Sequence, residues 1–218
     1  MKSIVRLPFF TLLVGALSFA ATIDNYNGAP ADQIAMDSSA NGIAVTSILD
    51  NRVIFANKSG TANSNFLDAI VAAAVEGTFD ASAGYNVYGV SGATYTGLWN
   101  LASSAQGFSI SLIGNDLAGS TIAFWISDGT HIASSPAYSL AVIAENGPAQ
   151  TIYADFSSFS GINLVNLSAI TSLGFTNTHV ANGDLSLDNF QTTIPEPGTY
   201  AMMAAGLLGL FALRRKKA

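Results

Sequence analysis

The chain contains no cysteine, which excludes disulfides, thiolate nucleophiles and cysteine-based zinc sites together. Positive charge is nearly absent from the body. Of the eight basic residues, Lys2, Arg6, Arg214, Arg215, Lys216 and Lys217 crowd the two ends, leaving only Arg52 and Lys58 between them. All fourteen acidic residues lie from Asp24 to Glu196, so the body carries −12 while the whole 218-residue chain carries −6. That balance excludes nucleic acid as a partner, because binding it needs Lys and Arg to displace counterions from phosphates. A run long enough for a permanent membrane anchor is missing too. Residues 200–213 are uncharged, but as a helix they rise about 21 Å at ~1.5 Å per residue, short of a ~30 Å hydrocarbon core. A catalytic set is also missing. His131 in "SDGTH" and His179 in "FTNTH" belong to no HExxH helix or Gly-x-Ser-x-Gly elbow, and the body has only Glu76 and Glu145 besides the Glu of "PEP". No enzyme is expected; the remaining catalytic reading is a hydrolase, which needs two facing carboxylates or a His-containing constellation in a pocket, and that separation is a property of the fold.

What is present begins with two ends that differ from the middle. "MKSIVRLPFFTLLVGALSFA" has a positive start, an apolar core over residues 7–17 and small residues at 18 and 20. It reads as a signal peptide, a short helix removed after Ala20. At the other end stands "TIPEPGTYAMMAAGLLGLFALRRKKA". Pro195 and Pro197 cannot sit inside a helix, so Pro195-Glu196-Pro197 is an exposed, extended hinge. Behind it come the short apolar helix and Arg214, Arg215, Lys216 and Lys217, which the positive-inside rule holds on the cytoplasmic side. Such a tail pauses in a membrane and presents a peptide for cutting. These three parts in order resemble the PEP-CTERM sorting signal of Gram-negative bacteria. The resemblance implies recognition by an exosortase, a membrane transpeptidase, with transient anchoring in the inner membrane. It also implies a role near exopolysaccharide, in the cell envelope, at the cell surface or in the extracellular matrix.

The expected organisation is therefore residues 1–20 as signal peptide, 21–192 as one domain and 193–218 as sorting signal. The body reads as strands. In "TIAFWISDG", Ile122, Phe124 and Ile126 alternate with Ala123, Trp125 and Ser127 before an Asp-Gly turn. "GFSISLIGND" alternates Phe108, Ile110 and Leu112 against serines, and "AYSLAVI", "TIYADF" and "DLSLDNFQ" behave similarly. Asn-Gly at 27–28, 41–42, 146–147 and 182–183 supplies turns between strands. "NFLDAIVAAAVEG" fits either a helix ending at Gly77 or a buried strand, and its flanks favour the strand. Many short strands without helical periodicity predict an all-β fold, a β-sandwich of jelly-roll type. Asn57-Lys58-Ser59 and Asn166-Leu167-Ser168 match the glycosylation sequon, by chance in a bacterial protein.

The order "TIDNYNG", "GLWNLASSAQGFSISL", "TIYADFSSFSGINLVNLSAITSLGF" and "DLSLDNFQ" resembles the galactose-binding-like jelly rolls of extracellular carbohydrate-binding modules. That resemblance implies a polysaccharide ligand. Sugar sites need flat aromatic faces rimmed by polar groups. Trp125 and Tyr153 stand out of phase with the aliphatic residues of their strands and so face away from the core, with Asp155 on the same side as Tyr153. Trp99, Tyr85, Tyr88 and Tyr95 lie in a Gly/Tyr-rich approach that is expected to edge a cleft. Equally, these rings can cover a second layer of the sandwich. Asp24 and Asp188, near the first and last strands, offer carboxylates for a structural Ca²⁺, although turn-capping explains them as well. The competing reading of the whole is a structural matrix protein or adhesin with no defined small ligand, its acidic surface serving hydration and spacing.

Overall fold

The computed structural model describes residues 20–27, 33–39, 43–59, 65–72, 77–102, 105–144 and 147–194. The segments expected to be the signal helix and the apolar tail helix, the tripeptide Pro195-Glu196-Pro197 and the basic residues Arg214, Arg215, Lys216 and Lys217 lie outside the described residues. So do Gly28, the Asn41-Gly42 turn and Asn146.

The described residues form an all-β sandwich of two antiparallel sheets. Strands are numbered in chain order. The first sheet runs β12 (Gln150–Asp155), β8 (Gly107–Asn115), β14 (Asp184–Thr193), β6 (Thr78–Ser82), β5 (Leu67–Ala72), β2 (Gln33–Asp37), with β1 (Thr22–Asp24) paired to β14. The second runs β10 (Ile132–Ser134), β9 (Thr121–Ser127), β13 (Ile170–His179), β7 (Tyr88–Trp99), β4 (Arg52–Ser59), β3 (Val45–Leu49), with β11 (Tyr138–Ser139) paired to β9. The stretch that fitted helix or strand is β5, and residues 73–76 after it lie outside the described residues.

Period-two alternation sets which side chains meet between the sheets. Phe108, Ile110 and Leu112 of β8 and Ile122, Phe124 and Ile126 of β9 are buried, as their alternation predicts. Rings from the two sheets lock together: Phe108 meets Phe124 with centroids 6.1 Å apart, and Phe79 meets Phe175 edge-on at 5.2 Å. Phe190 stacks on Phe124 at 5.9 Å and approaches Phe175 at 5.5 Å. Such pairs add about 0.5–1.5 kcal/mol each beyond the area they bury. Two turns form as read: Gly129 after Asp128 at φ 89° between β9 and β10, and Asn182 before Gly183 at φ 62° between β13 and β14. The strand expected in "AYSLAVI" shrinks to β11, because Leu140 turns inward while Val142 faces solvent and pairing stops.

Candidate functional site

The structure separates the aromatic residues that the sequence grouped. Trp125 lies on the outer face of the second sheet, out of phase with the buried Phe124 and Ile126. Tyr153 and Asp155 lie on edge strand β12 of the first sheet, facing outward on either side of the buried Ala154. Tyr153 is 65 % exposed. The two outward faces are on opposite sides of the sandwich, so Trp125 and Tyr153 share no site. The Asp155 carboxylate accepts from Ser157 N at 2.7 Å and caps a short 3₁₀ turn, Phe156–Ser158. Trp99, half-buried at the end of β7, folds back over Gly97 and packs on the core. Tyr85 and Tyr88 are exposed, but Tyr95 does not edge a cleft. It is 1 % exposed, because its phase on β7 points inward beside Phe190 at 5.6 Å.

Asp24 and Asp188 are brought close by the pairing of β1 with β14, as neighbouring first and last strands predict. Their carboxylates are nevertheless already engaged. Asp24 takes the Arg52 guanidinium at 2.5 Å on one oxygen and Tyr26 N at 2.7 Å on the other. Asp188 takes the backbone and side-chain nitrogens of Asn189 at 2.6 and 2.8 Å, across a bulge where Asn189 has φ 51°. Burial, with Asp24 adding repulsion, pushes the Asp188 carboxyl above its usual range. Calcium needs six to eight oxygens, and a buried guanidinium beside Asp24 opposes a second cation. These residues do not fit a calcium site.

The arrangement best suited to a ligand centres on Trp125 and includes residues that sequence reasoning missed. On the outer face of the second sheet, Gly174 of β13 pairs with Thr94 of β7, and Thr176 pairs with Gly92. Trp125 is the cross-strand neighbour of Gly174, and Phe55 of β4 is the neighbour of Gly92. Each ring leans inward over its glycine. A Cβ on Gly174 would stand 3.0 Å from Trp125 Cζ2, and one on Gly92 would stand 2.9 Å from Phe55 Cζ. Each such Cβ would also collide with a carbonyl of the neighbouring strand, Ala93 O or Phe175 O. Glycine is required at both places, because only hydrogen leaves room for ring and backbone. The result is a checkerboard of two glycines roofed by half-buried rings and two threonines. The one sequence signal for it was glycine in mid-strand, which marks a close approach.

Charge divides the two outer faces. The second sheet has Arg52 and Lys58 as its charged residues, and both point inward and are buried. Its outer face carries aromatic rings, threonines and small apolar groups. The first sheet's outer face carries Asp68, Asp80, Asp184 and Asp188, laced by hydroxyls. Ser82 Oγ donates to Asp184 at 2.5 Å, Thr78 Oγ1 to Asp80 at 2.7 Å, and Ser186 Oγ also donates to Asp80. Burial, with Asp184 and Asp80 adding repulsion, pushes the Asp68 carboxyl up. At the β9–β10 turn Asp128 is held well below the carboxylate range by backbone N–H groups of Asn166, His131 and Thr130. His131 lies 3.6 Å from it. Among the described residues, no three His, Cys, Asp or Glu side chains converge to hold a metal.

Residues 193–216 match the PEP-CTERM protein-sorting motif. The protein is thus an exported one, sorted to the cell envelope. Among the described residues, no helix is long and apolar enough to cross a membrane. No curated protein matches the chain. Similar solved structures include the family 11 carbohydrate-binding module of a cellulosomal cellulase of Clostridium thermocellum. It is 12% identical over 83% of this chain and 97% of that one, with TM-score 0.45. The same organism's module in complex with a beta-1,3-1,4-mixed-linked tetrasaccharide is 14% identical over 82% and 96%, with TM-score 0.42.

Proposed function

We propose that this exported protein binds an uncharged polysaccharide on the outer face of its second sheet. The observation that carries the proposal is the pair of rings, Trp125 and Phe55, set over Gly174 and Gly92 beside Thr94 and Thr176. Half-buried rings give sugar C–H faces something flat to pack on, and threonine hydroxyls bond sugar hydroxyls. A face without ionised groups offers an anionic polymer no counter-charge, and the acidic body repels it. The Pro195-Glu196-Pro197 tail is the substrate of an exosortase-type transpeptidase, which processes the protein after transient anchoring in the inner membrane. The site of action is the cell surface or the extracellular matrix.

Affinity electrophoresis through gels cast with neutral and with anionic polysaccharides tests the binding. Retardation is expected in at least one neutral gel, lost in Trp125→Ala and in Phe55→Ala, and unchanged by a calcium chelator. Absence of retardation in every gel overturns the reading in favour of a structural matrix protein or adhesin.

A further inference from the structure

The interior at the end of the sandwich where β13 finishes holds more polar groups than the protein itself satisfies. Asn177 and His179 lie on the inward face of β13, in phase with Phe175, and are 0 % and 3 % exposed. Asn177 is flanked on both sides, by Ser91 of β7 and Ile122 of β9. His179 Nε2 and Ser91 Oγ are hydrogen-bonded at 2.7 Å. Three buried atoms beside that bond have no partner: Asn177 Nδ2, Asn177 Oδ1 and His179 Nδ1. Exchanging oxygen and nitrogen of the Asn177 amide does not cure this, since both ends are unpaired. Nor can the side chain swing out to solvent, because the pairing on both sides fixes its strand.

Buried polar groups in native proteins find a partner, either in the protein or in ordered water. Three such orphans in one place identify the missing partner by its chemistry. It must donate to Asn177 Oδ1, accept from Nδ2, and reach an imidazole nitrogen two residues along the strand, about 7 Å at ~3.4 Å per residue. Burial holds His179 neutral, so amide, hydroxyl and imidazole make a neutral lining that does not call for an ion. Water meets every condition as a short chain, since each molecule has two donors and two acceptors and needs two to four polar partners, and two linked molecules span the ~7 Å that one cannot.

We propose that Asn177, His179 and Ser91 build an internal hydration site, in which a short chain of ordered water bridges the Asn177 amide to His179 Nδ1. The water extends the Ser91–His179 hydrogen bond into a chain that ties β7 to β13 on the inner face. The site is independent of the outer-face platform and does not rest on the polysaccharide reading.

Two measurements test it. A high-resolution crystal structure of the protein is expected to show solvent density within hydrogen-bonding distance of both Asn177 and His179 Nδ1. Apolar atoms filling that space overturn the proposal. Thermal denaturation of Asn177→Leu gives the second reading, since leucine is close in shape and removes the amide. If the amide is hydrated, the variant strands His179 Nδ1 and the water bound to it, and its Tm falls below wild type. If the amide is dry, losing it raises Tm and the proposal fails. Where the two measurements disagree, the density decides.

Discussion

At the scale of single residues, two positions carry sharp expectations. His179 is buried and its pKa is lowered to about 4 from 6.5 by desolvation, which outweighs the opposing pull of Asp184. The unfolded chain therefore takes up a proton at this residue before the folded one does. The stability at stake is fully present above pH 6.5 and is lost as pH falls toward 4, amounting to about 3 kcal/mol. Tm measured across that window is expected to fall for wild type and to run flatter for His179→Gln; parallel curves refute the assignment. Gly174→Ala places a methyl group against Ala93 O and the Trp125 ring. Overpacking of this kind costs about 1–3 kcal/mol. The variant is expected to lose stability and polysaccharide retardation together, because the displaced ring no longer lies flat. A variant as stable as wild type removes the close-packing argument.

At the scale of elements, the strands differ in how openly the sequence announced them. In β8, β9 and β12 aliphatic residues point inward and the phase is plain, so alternation places Trp125 and Tyr153 outward, where the structure has them. Which sheet each strand joins was not legible, because that depends on pairings across long stretches of chain. Two outward rings therefore looked like one site when they lie on opposite faces. In β4 the phase is disguised. Arg52 and Lys58 share the inner face with Ile54 and Ala56, so a charge-out rule conceals Phe55. Those two cations are tolerated inside because Arg52 meets Asp24 and Gln33, and Lys58 reaches Asn65 O at 2.5 Å. On the other sheet, adjacent outward strands β5, β6 and β14 set Asp68, Asp80 and Asp184 close enough to repel. Asp68→Asn keeps an acceptor for Ser82 N, now at 2.9 Å, and removes one charge. Since the Asp68 carboxyl is pushed up, its charge opposes folding at neutral pH and the opposition fades as pH falls through its raised value. The variant is expected to have a higher Tm than wild type at pH 7, the two converging in acid. A lower Tm at pH 7 shows that the charge is compensated.

At the scale of the whole molecule, the tail marks the protein for export and the sandwich is the body that is exported. The tail was legible because its three parts stand in order along a short contiguous segment. The platform was only partly legible because it is assembled from four strands that lie far apart in the chain. The exosortase reading makes a prediction about mass. The mature protein from cells is expected to lack the residues after the Pro-Glu-Pro motif, and one in which Pro195 and Pro197 are replaced by alanine is expected to keep them. A wild-type protein retaining residues 200–218 ends that reading.

Strand β14 is the last to be made and stands between β8 and β6. Until it arrives, the first sheet is two separate ribbons, β12 with β8 and β6 with β5 and β2. The first strand waits as well, since β1 has β14 as its partner and Ala21 O accepts from Thr192 N at 2.9 Å. The first sheet is therefore joined only by the segment of chain that ends at residue 193, where the match to the sorting motif begins. Completion of the fold and the start of the sorting motif thus meet at one point in the chain, so a body cut short of β14 cannot close its first sheet.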